Sequence, residues 1–332
     1  MLPNPTLPPS LVVLLSHLRP CFTAPSFITF RALVCGLLAQ TRERTVCGML
    51  TGAGLSRVWP HHRAHRFFSH AVWSPEQLGL ALAHLVVTLL VPTGAVTVAV
   101  DDTLFHRSGK KVWAAGWFHD GSATGPNTVG FGNTWVHLGI VVRLPMLDRP
   151  VCLPVLARLA RTNTMSASRL RLARQMVTTL ATALPDRSLH VVADAAYAGK
   201  ELRGLPAQVT WTTRLRVDAA LYDLAPPRTG RRGRPRSKGA RLSSLTTLAA
   251  QLSFTPLPVR RYGKTATVNI ATVRCLWYGT FGPQPVTVIL LRETTTHTRG
   301  GYDTALVSTD TLTRPAEIIH RYAARWSIEV MI

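Results

Sequence analysis

The chain has 332 residues, with 38 Lys plus Arg against 16 Asp plus Glu, a formal net charge of +22 and 46% hydrophobic residues. Such length and apolar content belong to a globular protein of two or three units and exclude a disordered tail. The charge excess points to a polyanionic partner, nucleic acid first and an anionic membrane second; so much apolar core disfavours a ribosomal protein.

The first residues, MLPNPTLPPS, lack a basic n-region, so no signal peptide is expected. Residues 1–75 then read as helical and basic, with FRALVCGLLA and TVCGMLTGAG as apolar segments ending near glycine. The stretch HHRAHRFFSHAVW places His61, His62, His65 and His70 close together. His61 and His65 are four apart, but the Glu of an H-E-x-x-H motif is absent, and the stretch is read as a solvated basic face near DNA. The five cysteines, Cys21, Cys35, Cys47, Cys152 and Cys275, are scattered and form no C-x-x-C pair. That usage fits a reducing cytosol and argues against a zinc ribbon or disulfide scaffold.

Residues 78–100 form a long uncharged run. His84, Pro92 and Gly94 interrupt it, so it reads as a buried helix over 76–90, a turn at Pro92-Thr93-Gly94 and a strand over 95–101, not as a membrane span. Two further strands are expected at TWVHLGIVVRL (134–144) and VCLPVLARL (151–159), with the glycine-rich GWFHDGSATGPNTVGFGN as a loop before them. Trp135 stands where a G-x-G-x-x-G motif needs its last glycine, which removes a dinucleotide reading. An amphipathic helix follows over 165–184, then a buried strand LHVVADA (189–195), a short helix at AYAGKELRG and a fifth strand QVTWTTRLR. Three meandering strands, a helix and a crossover strand make an α/β sheet in which acids at strand ends can converge. Beyond it, PPRTGRRGRPRSKGAR (226–241) carries seven positive residues and no acid, and TATVNIATVRCLWYGTF and PVTVILLRE alternate like a small antiparallel sheet.

Three acids stand out. Asp101, beside Asp102, ends the first strand, Asp194 ends the fourth, and Glu329 lies in RYAARWSIEVMI with Tyr322 and Arg325 at helical spacing on one face. Each alone reads as a turn residue, cap or surface pair. Together they form an Asp, Asp, Glu set on three elements of one core. Here the sequence resembles the DDE transposases of bacterial insertion sequences, in particular the group with the signature Y-(2)-R-(3)-E-(6)-K. Tyr322, Arg325 and Glu329 match it; AVDDT resembles the first-aspartate strand and VVADAAYAGKEL, with Tyr197, the second. RTGRRGRPRSKGARL and STDTLTRPAEIIHRYAARWSIE share the family's look, and the resemblance covers roughly residues 60–332.

The resemblance implies a mixed α/β fold with an RNase H-like core interrupted by a β-rich insertion; with the residue patterns, the chain is expected to divide into a helical basic DNA-binding region (1–92), the first part of the core (93–215), the insertion (216–300) and a closing strand with the Glu-bearing helix (301–332). It implies that Asp101, Asp194 and Glu329 are catalytic and bind two divalent ions, Mg²⁺ with Mn²⁺ as substitute. Three carboxylates within about 4 Å repel by roughly 4 kcal/mol per pair at an effective dielectric near 20, a cost that divalent cations remove. The match favours Asp101 over Asp102, whose side chain faces the other way on a strand. Tyr322 and Arg325 are expected to grip the DNA backbone. Arg232, Arg234 and Arg236 of the basic loop also resemble an R-G-R-P minor-groove element; the favoured reading is phosphate contact without base preference. The implied reaction is cleavage at transposon ends and strand transfer into target DNA, by a homodimer on DNA, in the bacterial cytoplasm at the nucleoid and without a membrane. The signature lysine would fall at 336, beyond Ile332, so a C-terminally truncated closing helix and weak or absent catalysis are expected. The alternative is a non-catalytic, DNA-binding remnant of a transposase.

Overall fold

The computed structural model describes residues 8–40, 45–109, 111–121, 123, 128–161, 168–227, 235–293 and 300–331. The chain divides into two compact units, Met1–Leu85 and Val86–Ile332. The first is built from short helices: α1 (Pro9–Ser16), α2 (Ala24–Ala39), α3 (Val46–Gly52), α4 (His61–Ser69) and the start of α5 (Pro75–Leu90). Thr23 and Thr45 cap α2 and α3 by accepting from the backbone N–H groups of Ser26 and Gly48. Leu33, Leu50, Ala64 and Phe67 form the core of this unit, with Phe22, Phe30 and Trp73 packed on it. Trp73 stacks on Phe67 at 5.4 Å and donates its indole N–H to the Phe67 carbonyl.

The second unit rests on one ten-stranded mixed sheet. Its strands are β1 (Val96–His106), β2 (Gly116–His119), β3 (Val129–Val142), β4 (Val151–Ala160), β5 (Leu189–Ala193), β6 (Val209–Arg214), β7 (Thr255–Arg261), β8 (Lys264–Leu276), β9 (Pro285–Glu293) and β10 (Thr304–Ser308). Between or after them lie α6 (Arg169–Ala183), α7 (Leu245–Gln251), α8 (Tyr278–Phe281), α9 (Pro315–Ala323) and α10 (Ser327–Met331). The meander β1, β3, β4 pairs antiparallel, while β5 and β6 run parallel to β1. The order β4-β3-β1-β5-β6, with α6 as the crossover before β5, is that of an RNase H-like core. Fully buried Val98, Val100, Val191 and Trp211 fill the α6 side of the sheet, where Met176, Val177 and Leu180 of α6 are also fully buried.

Four expectations need correction. β1 continues to His106, so Asp101 and Asp102 lie within the strand; Thr103, Leu104 and Phe105 keep it paired with Trp135, Thr134 and Asn133. Part of the glycine-rich loop is strand, because β2 pairs with the first residues of β3. The segment AYAGKELRG forms only a 3-10 turn at Lys200–Leu202. Finally, the insertion is not a sheet of its own: β10 pairs with β6 on one edge and β9 on the other, and β8 and β7 extend the same sheet.

The extended sheet curls around α9 and α10. One core cluster joins Ala99 of β1, Val192 of β5 and Cys152 of β4 with Val259, Val268 and Ile270 of β7 and β8, all against Ile318, Ile319, Tyr322 and Ile328. His320 of α9 donates from Nδ1 to the Arg260 carbonyl, 2.6 Å away, and also meets Arg143 just beyond β3. A cavity of about 600 Å³, lined by Arg143, Arg149, Arg260, Tyr262, His320 and Trp326 among others, lies beneath this closure.

Candidate active site

Strand alternation sorts the two adjacent aspartates. Asp101 shares the face of Ala99, which packs toward α9 and α10. Asp102 turns to the α6 side, where both its oxygens are engaged. Its Oδ2 pairs with Arg169 of α6 at 2.8 Å and its Oδ1 accepts from the Tyr197 hydroxyl at 2.6 Å. Burial, with the Asp102 charge beside it, raises the Tyr197 pKa, so that phenol stays protonated and donates.

The parallel register matches Ala99 with Val192 and Val100 with Ala193, and the next step along both strands sets Asp194 beside Asp101. Asp194 lies just past β5 and is held by its backbone: its carbonyl accepts from Thr213 Oγ1 at 2.6 Å and from the Tyr197 N–H. Burial pushes Asp101 up to about 6, against the pull of the Asp102 N–H and of Arg325; the charges of Asp102 and Asp194 add to the rise.

The third acid arrives on the far helix. The signature segment is not one continuous helix: α9 ends at Ala323, a 3-10 turn covers Ala324–Trp326, and α10 begins at Ser327. Arg325, with its side chain only 9% exposed, points back into the site and places Nη1 3.4 Å from Asp101 Oδ2 and 2.9 Å from Glu329 Oε1. Asp101 and Glu329 therefore converge on one guanidinium nitrogen, and Asp194 borders Asp101. Tyr322 is buried on the same side; its hydroxyl and Arg325 Nε have no hydrogen-bond partner among the described residues. Burial pushes the Tyr322 phenol up to about 12.

Of the basic-loop arginines, Arg236 is exposed, while Arg232 and Arg234 lie outside the described residues. Two further residues of the site, His137 and Arg169, match no motif in the sequence. His137 sits directly across from Asp101 on β3, its Nε2 buried with no hydrogen-bond partner among the described residues, and burial lowers its pKa. A histidine inside the apolar run WVHLGIVV was the available signal; Arg169 gave none, since only the fold brings it to Asp102.

Residues 17–279 match the family model described as DDE superfamily endonuclease. The chain belongs to this family. The match takes in Asp101, Asp102 and Asp194 and stops before Tyr322, Arg325 and Glu329. No curated protein matches the chain. Endonucleases of this superfamily generally use divalent metal ions and act on DNA. The donor chemistry of this site fits such an ion: Asp101, Asp194 and Glu329 offer only hard carboxylate oxygens, and a cationic group already lies between two of them. Among the described residues, no helix is long and apolar enough to cross a membrane.

Proposed function

We propose that the chain is a transposase of the insertion-sequence type, which cuts DNA at transposon ends and joins them to target DNA. The observation that carries this reading is the convergence of Asp101 and Glu329 on Arg325, with Asp194 alongside Asp101. Asp101, Asp194 and Glu329 would hold two divalent ions, with Mg²⁺ suited to an all-oxygen donor set. Bound there, such ions supply activation of a water or 3′-hydroxyl and stabilisation of the leaving oxygen in an in-line displacement. Asp102 is kept out of the ligand set by Arg169 and Tyr197, and serves to fix the strand that carries Asp101.

Arg325 has two tasks in this reading. Without divalent ions it neutralises Asp101 and Glu329; with DNA present its guanidinium, and the Tyr322 hydroxyl beside it, are donors for the phosphate next to the scissile bond. The basic loop with Arg232, Arg234 and Arg236 would add phosphate contacts, and two copies would act together on a pair of ends. Nicking of a labelled transposon-end duplex tests the assignment. Mg²⁺-dependent cleavage is expected from the wild type and none from Asp194→Ala; cleavage that survives the substitution sinks it.

A second reading has its own support. Arg325 already satisfies two of the three acids, as expected of a DNA-binding protein that does not cleave. Salt-sensitive DNA binding by a wild type that never nicks with Mg²⁺ or Mn²⁺ would select it.

A further inference from the structure

The histidine-rich stretch gains a partner in the folded first unit. His61 and His65 stand one turn apart on α4, their rings 4.6 Å apart between centroids. Cys47 of α3 reaches them from the neighbouring helix, its Sγ 3.0 Å from His61 Nε2. One donor atom from each of the three lies within 4.8 Å of the others, and all three residues are exposed. No acid is needed to complete this set: one thiolate and two imidazoles are borderline-soft ligands, unlike the all-oxygen site of the second unit.

The backbone fixes this arrangement. A Cβ on Gly36 of α2 would fall 1.8 Å from the Met49 carbonyl oxygen, and one on Gly52 would fall 2.3 Å from the Gly36 oxygen. Only glycines allow α2 and α3 so close an approach, and α3 is thereby held in place. Ala64, fully buried between His61 and His65 along α4, and Leu50 of α3 lie in the same core cluster. In a tetrahedral zinc site, bonds of about 2.0 Å to nitrogen and 2.3 Å to sulfur put neighbouring donors roughly 3.3–3.6 Å apart. The three donors, one pair at 3.0 Å and all within 4.8 Å of one another, already lie close to that spacing.

We infer that Cys47, His61 and His65 form a zinc site that clips α3 to α4 in the N-terminal unit, with water in the fourth position. Zinc binding takes the Cys47 thiol to its thiolate and releases that proton to solvent. The site is independent of the carboxylates and of the proposed transposase activity. It adds a metal cross-link between two short helices, α3 and α4, that the core already packs together.

Co²⁺ titration of the full-length, metal-stripped protein tests this. Sulfur ligation produces an intense near-ultraviolet thiolate-to-cobalt band, which an all-oxygen site cannot give. The expected result is one such equivalent per chain, displaced by one equivalent of Zn²⁺, and lost in Cys47→Ser. Zinc should also slow alkylation of Cys47 in the wild type and fail to do so in His65→Ala. Absence of the band at saturating Co²⁺, or its persistence in Cys47→Ser, overturns the site; so does alkylation unaffected by zinc. Circular dichroism of the two variants, whose altered side chains are exposed, shows whether each is folded when it is read.

Discussion

Arg325 Nη1 lies 2.9 Å from Glu329 Oε1, and the same nitrogen is 3.4 Å from Asp101 Oδ2. The pair is more than a surface i, i+4 contact, because the arginine side chain is only 9% exposed. Removing one member of a buried ion pair leaves its partner uncompensated, at a cost of about 3–5 kcal/mol. Glu329 is partly exposed, so the lower end of that range is expected for Arg325→Ala in chelator. Adding Mg²⁺ should then raise the melting temperature of Arg325→Ala more than that of the wild type. Equal shifts in the two proteins would mean that the guanidinium and the ion do not share these carboxylates.

The second prediction concerns pH. Asp101 has its folded pKa raised from 3.8 to about 6, so the folded state holds this proton more tightly than the unfolded chain does. Its favourable contribution is complete below the unfolded value and is lost as pH rises through about 6. Above that, the ionised carboxylate costs the metal-free fold up to about 3 kcal/mol, at 1.36 kcal/mol per pKa unit. Asp101→Asn should accordingly be more stable than the wild type at pH 8 in chelator and nearly equal to it at pH 4. Urea melts at the two pH values measure this; a difference that does not change with pH would remove burial of Asp101 as the cause. Mg²⁺ should stabilise the wild type and not the variant.

Asp102 supplies the contrast. Its oxygens serve Arg169 and Tyr197, so Asp102→Asn should weaken two charge-assisted hydrogen bonds and cost about 1–3 kcal/mol of stability. Mn²⁺ affinity, followed by calorimetry, should stay close to wild type in Asp102→Asn and vanish in Asp101→Asn and Asp194→Asn. Loss of Mn²⁺ binding in a folded Asp102→Asn would exchange the roles of the two aspartates. Tyr197→Phe removes only one donor and should cost about 1 kcal/mol without touching the ion.

Much of the core was legible because its elements are local patterns. The apolar runs of β1, β3, β4 and β5, and the amphipathic α6, announce themselves by period, and they deliver Asp101 and Asp194 to neighbouring strands. Pairing between distant strands leaves no such mark. Nothing in PVTVILLRE or TALVS says that Ile289 will face Leu306, or that Leu306 will face Arg214, which is why the insertion read as a separate sheet. The signature helix was read with one period throughout, whereas the 3-10 turn at Ala324–Trp326 breaks that period and accompanies the inward turn of Arg325. The histidines of α4 were visible in sequence but their third partner was not, since Cys47 comes from another helix, 14 residues before His61.

The last prediction uses the charge excess. A chain with net charge +22 that binds DNA chiefly through phosphates should lose affinity linearly in log salt, each contact adding about 0.9 to the slope. Replacing Arg232, Arg234 and Arg236 together by Ala should therefore lower the slope by about 2–3 if all three touch phosphates. Two readings of the loop separate here. Phosphate contact alone lowers the slope equally on A·T-rich and G·C-rich duplexes. Arginines entering a narrow minor groove would also give the wild type an A·T preference that the triple variant loses. The expected outcome is the first, measured by fluorescence anisotropy between about 50 and 200 mM salt, the range over which phosphate-driven binding changes most visibly. An unchanged slope would remove the loop from the DNA interface and leave the remaining arginines and lysines of the chain to account for binding.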